Sequence, residues 1–298
     1  MAPPQETAEL PRNFVFFKLS ETLEPQKAMK DDLSSSSNTG PNSKKNREEN
    51  CSEEFSFGFE KVSASTKQKR VNTVFTSVAN EYDLMNDLMS LGTHRLFKRM
   101  LIEVSGINPG DQILDLAGGT GDVADLIYRT VGNTGQITIA DPNLQMIEIG
   151  RDRLLDAGAC NVSACVCAAE ALPFRANTFD KITLSFGFRN FTDQYQAFSE
   201  MRRILQPGGS VTILEFTKPK AQLLKNLYAQ YRSLWPKLGA FITGDKPSYT
   251  YLNDSIEVHL SQEALVEMFR DAGFVNCFYT DLLGGVAAIH KGTKPISD

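Results

Sequence analysis

The sequence predicts an α/β fold, a mostly parallel, doubly wound sheet of seven strands with a helical insertion. Three observations predict it. From about residue 112 to residue 216, short apolar runs alternate with amphipathic stretches of helical period. The first such pair is joined by Asp115-Leu116-Ala117-Gly118-Gly119-Thr120-Gly121, a glycine turn between a strand and a helix start. Lastly, Asp115, Asp141, Ser185 and Glu215 all fall at or near the carboxyl ends of expected strands, where such sheets hold their ligands.

Residues 1–54 stand apart from the rest. They hold Ser34-Ser35-Ser36-Ser37, Asn38-Thr39-Gly40-Pro41 and mixed charges, and they read as a disordered tail. Only Arg12 precedes position 47, against Glu6, Glu9, Glu21, Glu24, Asp31 and Asp32, so a mitochondrial transit signature is missing. Phe14-Val15-Phe16-Phe17 is too short for a secretory core. Residues 55–298 form the expected domain. It opens with a helix at 68–79, which sets Val71, Val74, Phe75 and Val78 on one face. A polar-apolar mixture follows, then a helix at 97–104 that ends near Gly106.

Strands are expected at 112–117, 136–140, 162–168, 180–186 and 210–216. Helices are expected at 121–131, 143–157, 194–205 and 261–272. Pro207-Gly208-Gly209 is a turn into the fifth strand, and apolar runs near 275–282 and 285–290 form a closing hairpin. Residues 218–259 break the alternation. Leu223, Leu224, Leu227, Tyr228, Tyr231, Leu234 and Trp235 make an amphipathic helix, followed by Pro236, Gly239 and Gly244. This segment reads as a cap over the crevice. It suits a greasy substrate or a membrane surface as readily as it suits plain coverage of the sheet.

Composition narrows the function. The chain has 298 residues, 41% hydrophobic and 22% charged, enough for a large core. No apolar run is long enough for a membrane span. A net charge of −5 argues against a nucleic-acid surface. Cys51, Cys160, Cys165, Cys167 and Cys277 match no zinc or redox spacing and fit a reducing compartment. With only His94, His259 and His290 beside them, no metal site is expected.

The glycine turn admits two cofactors. Gly119-x-Gly121-x-x-Ala124, with Asp141 about 20 residues on, fits the loose dinucleotide pattern. Asp115 and Asp122 flank the loop, however, and would repel a pyrophosphate. They suit a cation, and S-adenosylmethionine carries a sulfonium and an ammonium and no phosphate. Asp141, ending the second strand, can accept from both ribose hydroxyls. The residues therefore favour S-adenosylmethionine over a nicotinamide dinucleotide.

Longer stretches are more specific. They are Phe57-Gly58-Phe59, Tyr82 through Ser90 with His94-Arg95, and Glu170-Ala171-Leu172-Pro173-Phe174 leading to Phe179-Asp180. Ser185-Phe186-Gly187-Phe188-Arg189-Asn190 and Asp245-x-x-Ser248-Tyr249-x-Tyr251-Leu252 complete the set. Together they closely resemble the ubiquinone/menaquinone biosynthesis C-methyltransferase family, from about Phe57 to Lys291. The resemblance implies a class I, Rossmann-like S-adenosylmethionine-dependent methyltransferase. Its reaction would move a methyl group to a ring carbon of a polyprenylated quinol. The acceptor would be 2-methoxy-6-polyprenyl-1,4-benzoquinol in ubiquinone synthesis or demethylmenaquinol in menaquinone synthesis.

By the family's motif, cofactor contacts fall on Asp115, Gly118, Gly119, Thr120, Gly121, Asp141, Ala168, Ala169 and Ser185. The family often carries Asp or Asn where this chain has Ala168, so that side-chain contact to the adenine amino group is lost or supplied elsewhere, as by Glu170. Arg189, Asn190 and Tyr82 are the expected catalytic residues. Arg189 would stabilise a phenolate, Asn190 would orient the ring hydroxyl or a water, and Tyr82 would relay a proton or stack on the quinol. The base stays open among Asp83, Asp87, His259 and a bound water. Plainer roles compete: a surface salt bridge for Arg189, packing for Tyr82, His94 and His259, capping for Asp83 and Asp87, and a lysine partner for Glu215.

The implied partners are the quinol, a membrane surface touched peripherally, a quinone-biosynthesis assembly and a second copy of the chain, with no nucleic acid. The expected location is the cytoplasmic side of an inner membrane or, in a eukaryote, the matrix side of the mitochondrial inner membrane. A methyltransferase for a sterol-like acceptor and a cofactor-binding scaffold are the rival functions. The first would lack the Tyr82–Ser90 and Ser185–Asn190 blocks together, and Arg189, Asn190 and Asp141 argue against the second.

Overall fold

The computed structural model describes residues 54–159, 161–242 and 244–297. The expected tail lies outside the described residues apart from Glu54, as do Cys51 and Cys160. The chain opens with a hairpin, β1 (Phe55–Phe57) and β2 (Glu60–Val62). Three helices follow: α1 (Ala64–Val78), α2 (Tyr82–Ser90) and α3 (His94–Ser105). Ser63 caps α1 by accepting from the Thr66 N–H. Helix α2 occupies the stretch expected to be a mixture. It ends at Leu91, whose φ of 51° supplies the left-handed turn.

Alternation then proceeds through β3 (Gln112–Leu116), α4 (Asp122–Val131), β4 (Gln136–Asp141), α5 (Leu144–Asp156), β5 (Val162–Val166) and β6 (Phe179–Ser185). One 3-10 turn at Phe188–Asn190 precedes α6 (Gln194–Ile204) and β7 (Leu205–Phe216). Helices α7 (Gln222–Ile242), α8 (Lys246–Val258) and α9 (Gln262–Asp271) lead to the closing hairpin, β8 (Val275–Leu282) and β9 (Ala287–Thr293).

The sheet runs β5-β4-β3-β6-β7-β9-β8. Its first five strands are parallel, and β9 runs antiparallel between β7 and β8. The order reverses direction at β3, so the crevice at the ends of β3, β4 and β6 is the topological switch point. Alternate strand residues feed two cores. Ile113, Ile137 and Ile139 pack on one face with α3, α4 and α5. Leu114, Ala140, Ile182 and Leu184 pack on the other with α6 and α9.

Two expected breaks fall inside elements. Pro207-Gly208-Gly209 bulges within β7, where two steps along β6 face five along β7. Helix α7 continues through Pro236 and Gly239. Gly239 lies against the Tyr249 ring of α8, and a Cβ there would come within 2.3 Å of it. Close helix packing, not helix termination, explains that glycine. Helices α7 and α8 pack on each other and meet α2 and α1.

Candidate active site

The strand ends are bent apart by two residues in the left-handed region, Ala117 after β3 (φ 53°) and Phe186 after β6 (φ 58°). Such strain persists only where packing enforces it. Between them Gly187 comes so near that a Cβ would lie 2.5 Å from the Ala117 Cβ. The crevice opens into a cavity of about 440 Å³, within the range of small-molecule sites.

Its polar floor comes from three strands. Asp141 ends β4 and accepts from the backbone N–H groups of Asn143 (2.8 Å) and Gly119 (3.2 Å). Desolvation pushes its carboxyl up to about 6, and those two N–H groups hold it back from rising further. Ser185 ends β6, and its hydroxyl oxygen is buried with no hydrogen-bond partner. Gly119, φ 51°, forms the near wall, where a Cβ would meet Met146 at 3.3 Å. An unpaired hydroxyl, a poised carboxylate and a backbone cradle are what an amino-acid nucleoside requires.

The expected cofactor residues divide. Gly119, Asp141, Ala168, Ala169 and Ser185 line the cavity. Asp115, Gly118, Thr120 and Gly121 stand behind its wall. Asp115 is 1% exposed, and its Oδ1 accepts from the Thr183 hydroxyl at 2.9 Å. Its other oxygen is unpartnered, and burial pushes the group up to about 7. Gly118 is required there, because a Cβ would come within 2.9 Å of that oxygen and 2.5 Å of Ile139. Asp122 is engaged by Lys98 (2.8 Å) and Arg153, and Arg153 also binds Asp83. Its charge therefore faces cations on α3 and α5, and the polar side chains that line the cavity at the strand ends are Asp141 and Ser185 instead.

Sequence reasoning missed Gly150 on α5. A Cβ there would lie 2.8 Å from the Gly119 carbonyl oxygen and 3.1 Å from the Gly121 nitrogen. Helix propensity alone favours alanine by about 1 kcal/mol. Overpacking against immobile backbone costs about 1–3 kcal/mol and would displace the glycine turn. Gly150→Ala is therefore expected to weaken cofactor binding by about tenfold or more, measured by calorimetry.

The expected catalytic residues meet at the β6 end. Tyr82 and Asn190 line the cavity. The Asn190 Oδ1 accepts from the Tyr251 hydroxyl at 2.9 Å, which leaves its amide NH2 for a ligand. Arg189 does not line the cavity. It lies directly behind, 8% exposed, paired with Glu215, which is fully buried. Its Nη1 also donates to the Phe186 carbonyl oxygen (2.6 Å), its Nε to the Ser255 hydroxyl (3.2 Å), and its backbone N–H to Glu215 (3.2 Å). Burial pushes the Tyr82 hydroxyl up to about 12, and the Arg189 charge opposes that rise.

None of the three candidate bases lines the cavity. Asp83 is bound to Arg153 and Asp87 to Arg95, and His259 packs edge-on to Phe188. Burial holds His259 down near 3, so it is neutral at any working pH. Among the described residues no cluster of His, Cys, Asp and Glu could hold a metal ion.

The far wall is the larger surprise. It comes from α1 through Val71, Asn72 and Phe75, and from α2 through Tyr82, and among the described residues none of 222–258 lines the cavity. Asn143 holds α1 down, donating to Asn72 Oδ1 and the Thr76 hydroxyl, both at 2.7 Å. Its Oδ1 also caps α5. The α7–α8 insert acts from behind, through Tyr251 on Asn190, Ser255 on Arg189 and the Tyr231 hydroxyl on the Leu88 carbonyl.

A glycine turn, the Asp141 carboxylate at the end of β4 and the Phe186–Asn190 turn thus meet in one cavity. The sequence profile of the ubiE/COQ5 methyltransferase family matches residues 63–294. The chain belongs to that family. A ubiquinone/menaquinone biosynthesis C-methyltransferase from Teredinibacter turnerae is 50% identical over 240 residues, covering 80% of this chain and 96% of its own length. Its counterpart from Shewanella halifaxensis is 46% identical over 248 residues, 83% of this chain and 99% of its own.

Solved structures share the fold at low identity. An S-adenosylmethionine-dependent methyltransferase from Aquifex aeolicus matches with a TM-score of 0.53 at 16% identity, covering 71% of this chain and 97% of its own. A methyltransferase of Haloferax volcanii, solved with its Trm112 activator, gives 0.57 at 17%, covering 76% and 97%. The protein is an S-adenosylmethionine-dependent methyltransferase of this family, with the class I sheet described above.

Proposed function

We propose that the protein moves the methyl group of S-adenosylmethionine to a ring carbon of a polyprenylated quinol, in ubiquinone or menaquinone synthesis. The observation that carries this reading is the composition of one cavity wall. Tyr82 and Asn190 supply polar groups beside the cofactor floor, between apolar Phe75, Phe186 and Phe191. That arrangement suits a flat aromatic ring with a hydroxyl at one edge and a hydrocarbon tail.

Asp141 would hold the ribose, with Ser185 and Gly119 beside it, and the bound cofactor would supply an electrophilic methyl group. The Asn190 NH2 donates to the quinol oxygen. The Arg189 charge, acting across the Phe186 turn, favours loss of the ring hydroxyl proton, as it does at Tyr82. A water takes that proton, because Asp83, Asp87 and His259 all lie off the cavity. The ring carbon would then take the methyl as its bond to sulfur breaks, the carbon's own proton would pass to water, and the ring oxygen would regain a proton, so that the aromatic ring and both hydroxyls are restored with one proton released overall.

A prenyl tail places the acceptor in a lipid bilayer. Leu223, Leu227 and Leu234 on α7 are 74%, 55% and 47% exposed along one stripe, which supports peripheral contact with a membrane. No helix among the described residues is long and apolar enough to cross one. Work at the cytoplasmic side of an inner membrane, or the matrix side in a mitochondrion, completes the proposal.

The test is transfer of labelled methyl to a demethyl-benzoquinol and to demethylmenaquinol, each reduced and each oxidised. Transfer to a reduced quinol alone is expected, and the preferred ring assigns the pathway. Binding of the cofactor with transfer to neither quinol would end this reading.

A further inference from the structure

We propose that Gln68 reads the amino edge of the cofactor's adenine. The sheet order sets the direction in which the cofactor lies. With the ribose on Asp141 at the end of β4, the methyl points toward Tyr82 and Asn190. The base then lies on the other side, at the end of β5, over Ala168, Ala169 and Glu170.

That end is poor in free polar side chains. Ala168 and Ala169 have none. Glu170 gives Oε1 to the backbone N–H groups of Thr192 (2.7 Å) and Asp193 (3.2 Å), and a carboxylate accepts only. Lys67 is buried, and its ammonium donates to the Phe191 carbonyl oxygen at 2.6 Å. The Asn72 side-chain oxygen accepts from Asn143 at 2.7 Å.

Gln68 remains. It is exposed, it lines the cavity, and its side-chain amide has no hydrogen-bond partner among the described residues. It belongs to the stripe Gln68, Val71, Asn72 and Phe75, the helical face that α1 turns to the cavity. Adenine presents an amino donor next to a ring-nitrogen acceptor, and an amide matches both at once. Lys69 and Thr192 share the wall, but an ammonium only donates and a single hydroxyl meets one atom at a time. Gln68 thus supplies the side-chain contact that Ala168 lacks.

The inference rests on the cofactor assignment, and its test separates the two. Binding of S-adenosylhomocysteine, and of its analogue with unsubstituted purine in place of adenine, is measured by calorimetry on the full chain and on Gln68→Ala. The parent protein is expected to bind the adenine form about tenfold more tightly. Gln68→Ala is expected to lose about tenfold for the adenine form and little for the purine form, so the two changes are coupled. Equal losses for both ligands, or no loss for either, would overturn the role of Gln68. Failure of the parent protein to bind either ligand would strike the cofactor assignment instead.

Discussion

Arg189→Ala is expected to lower the methyl-transfer rate by about two to three orders of magnitude and to destabilise the fold as well. The two effects have different causes. The rate falls because a fixed positive charge behind the Phe186 turn no longer stabilises the developing phenolate. Stability falls because Glu215, fully buried, loses its cation. Breaking a buried pair from one side costs about 3–5 kcal/mol, whereas replacing both partners with apolar residues is often neutral. The double variant Arg189→Met with Glu215→Leu is therefore expected to recover most of the unfolding temperature and none of the rate. A single variant that keeps its rate within a few-fold would show that Arg189 is only structural.

Asp141→Ala is expected to weaken S-adenosylmethionine binding by about a hundredfold or more. In the proposed complex this carboxylate, fixed by two backbone N–H groups, accepts from the ribose, and each hydrogen bond to a charged group contributes about 1.5–3 kcal/mol. The same group makes binding depend on pH. Its carboxyl is raised to about 6 by desolvation, and only the ionised form accepts from both hydroxyls. Affinity is expected to be flat above pH 6 and to fall by up to tenfold per unit below it, by calorimetry across pH 5–8. Stability of the cofactor-free protein runs the other way. A raised folded value means that ionisation costs the fold, so the contribution is favourable at low pH and is lost as pH rises through about 6. A pH-independent affinity would remove Asp141 from the ribose.

Much of this architecture was legible in the chain. The alternation of apolar runs and helical periods located the strands of the sheet, those of its centre because strands buried on both faces read as continuous apolar segments, although β7 begins at Leu205, ahead of the expected 210. Asp141, Ser185 and the glycine turn declared themselves by falling at strand ends. What escaped notice depends on contacts between distant segments. Helix α2 carries Tyr82, yet its polar face reads as a loop until Asp83 is seen to meet Arg153 across 70 residues. Gly150 has no local reason to be glycine, and only the approach of the Gly119 turn supplies one. Residues 218–259 read as a cap over the crevice, whereas the wall facing the cavity floor is built by α1 together with Tyr82 of α2. The cavity-facing stripe of α1 begins at Gln68 and runs one step round from the Val71, Val74, Phe75 and Val78 face that hydropathy marks. Polar residues that line a crevice weaken the very pattern by which a helix face is found.

A C-methyltransferase places the methyl group on carbon and not on oxygen. Carbon-13 methyl-labelled S-adenosylmethionine, incubated with the protein and its preferred reduced quinol, tests it most directly through the carbon spectrum of the product. A single new methyl bonded to a ring carbon, with both ring hydroxyls retained, is the predicted result. A methyl bonded to oxygen would contradict the account, because it would mean that the polar wall of Tyr82 and Asn190 presents the quinol oxygen to the cofactor and turns the ring carbon away.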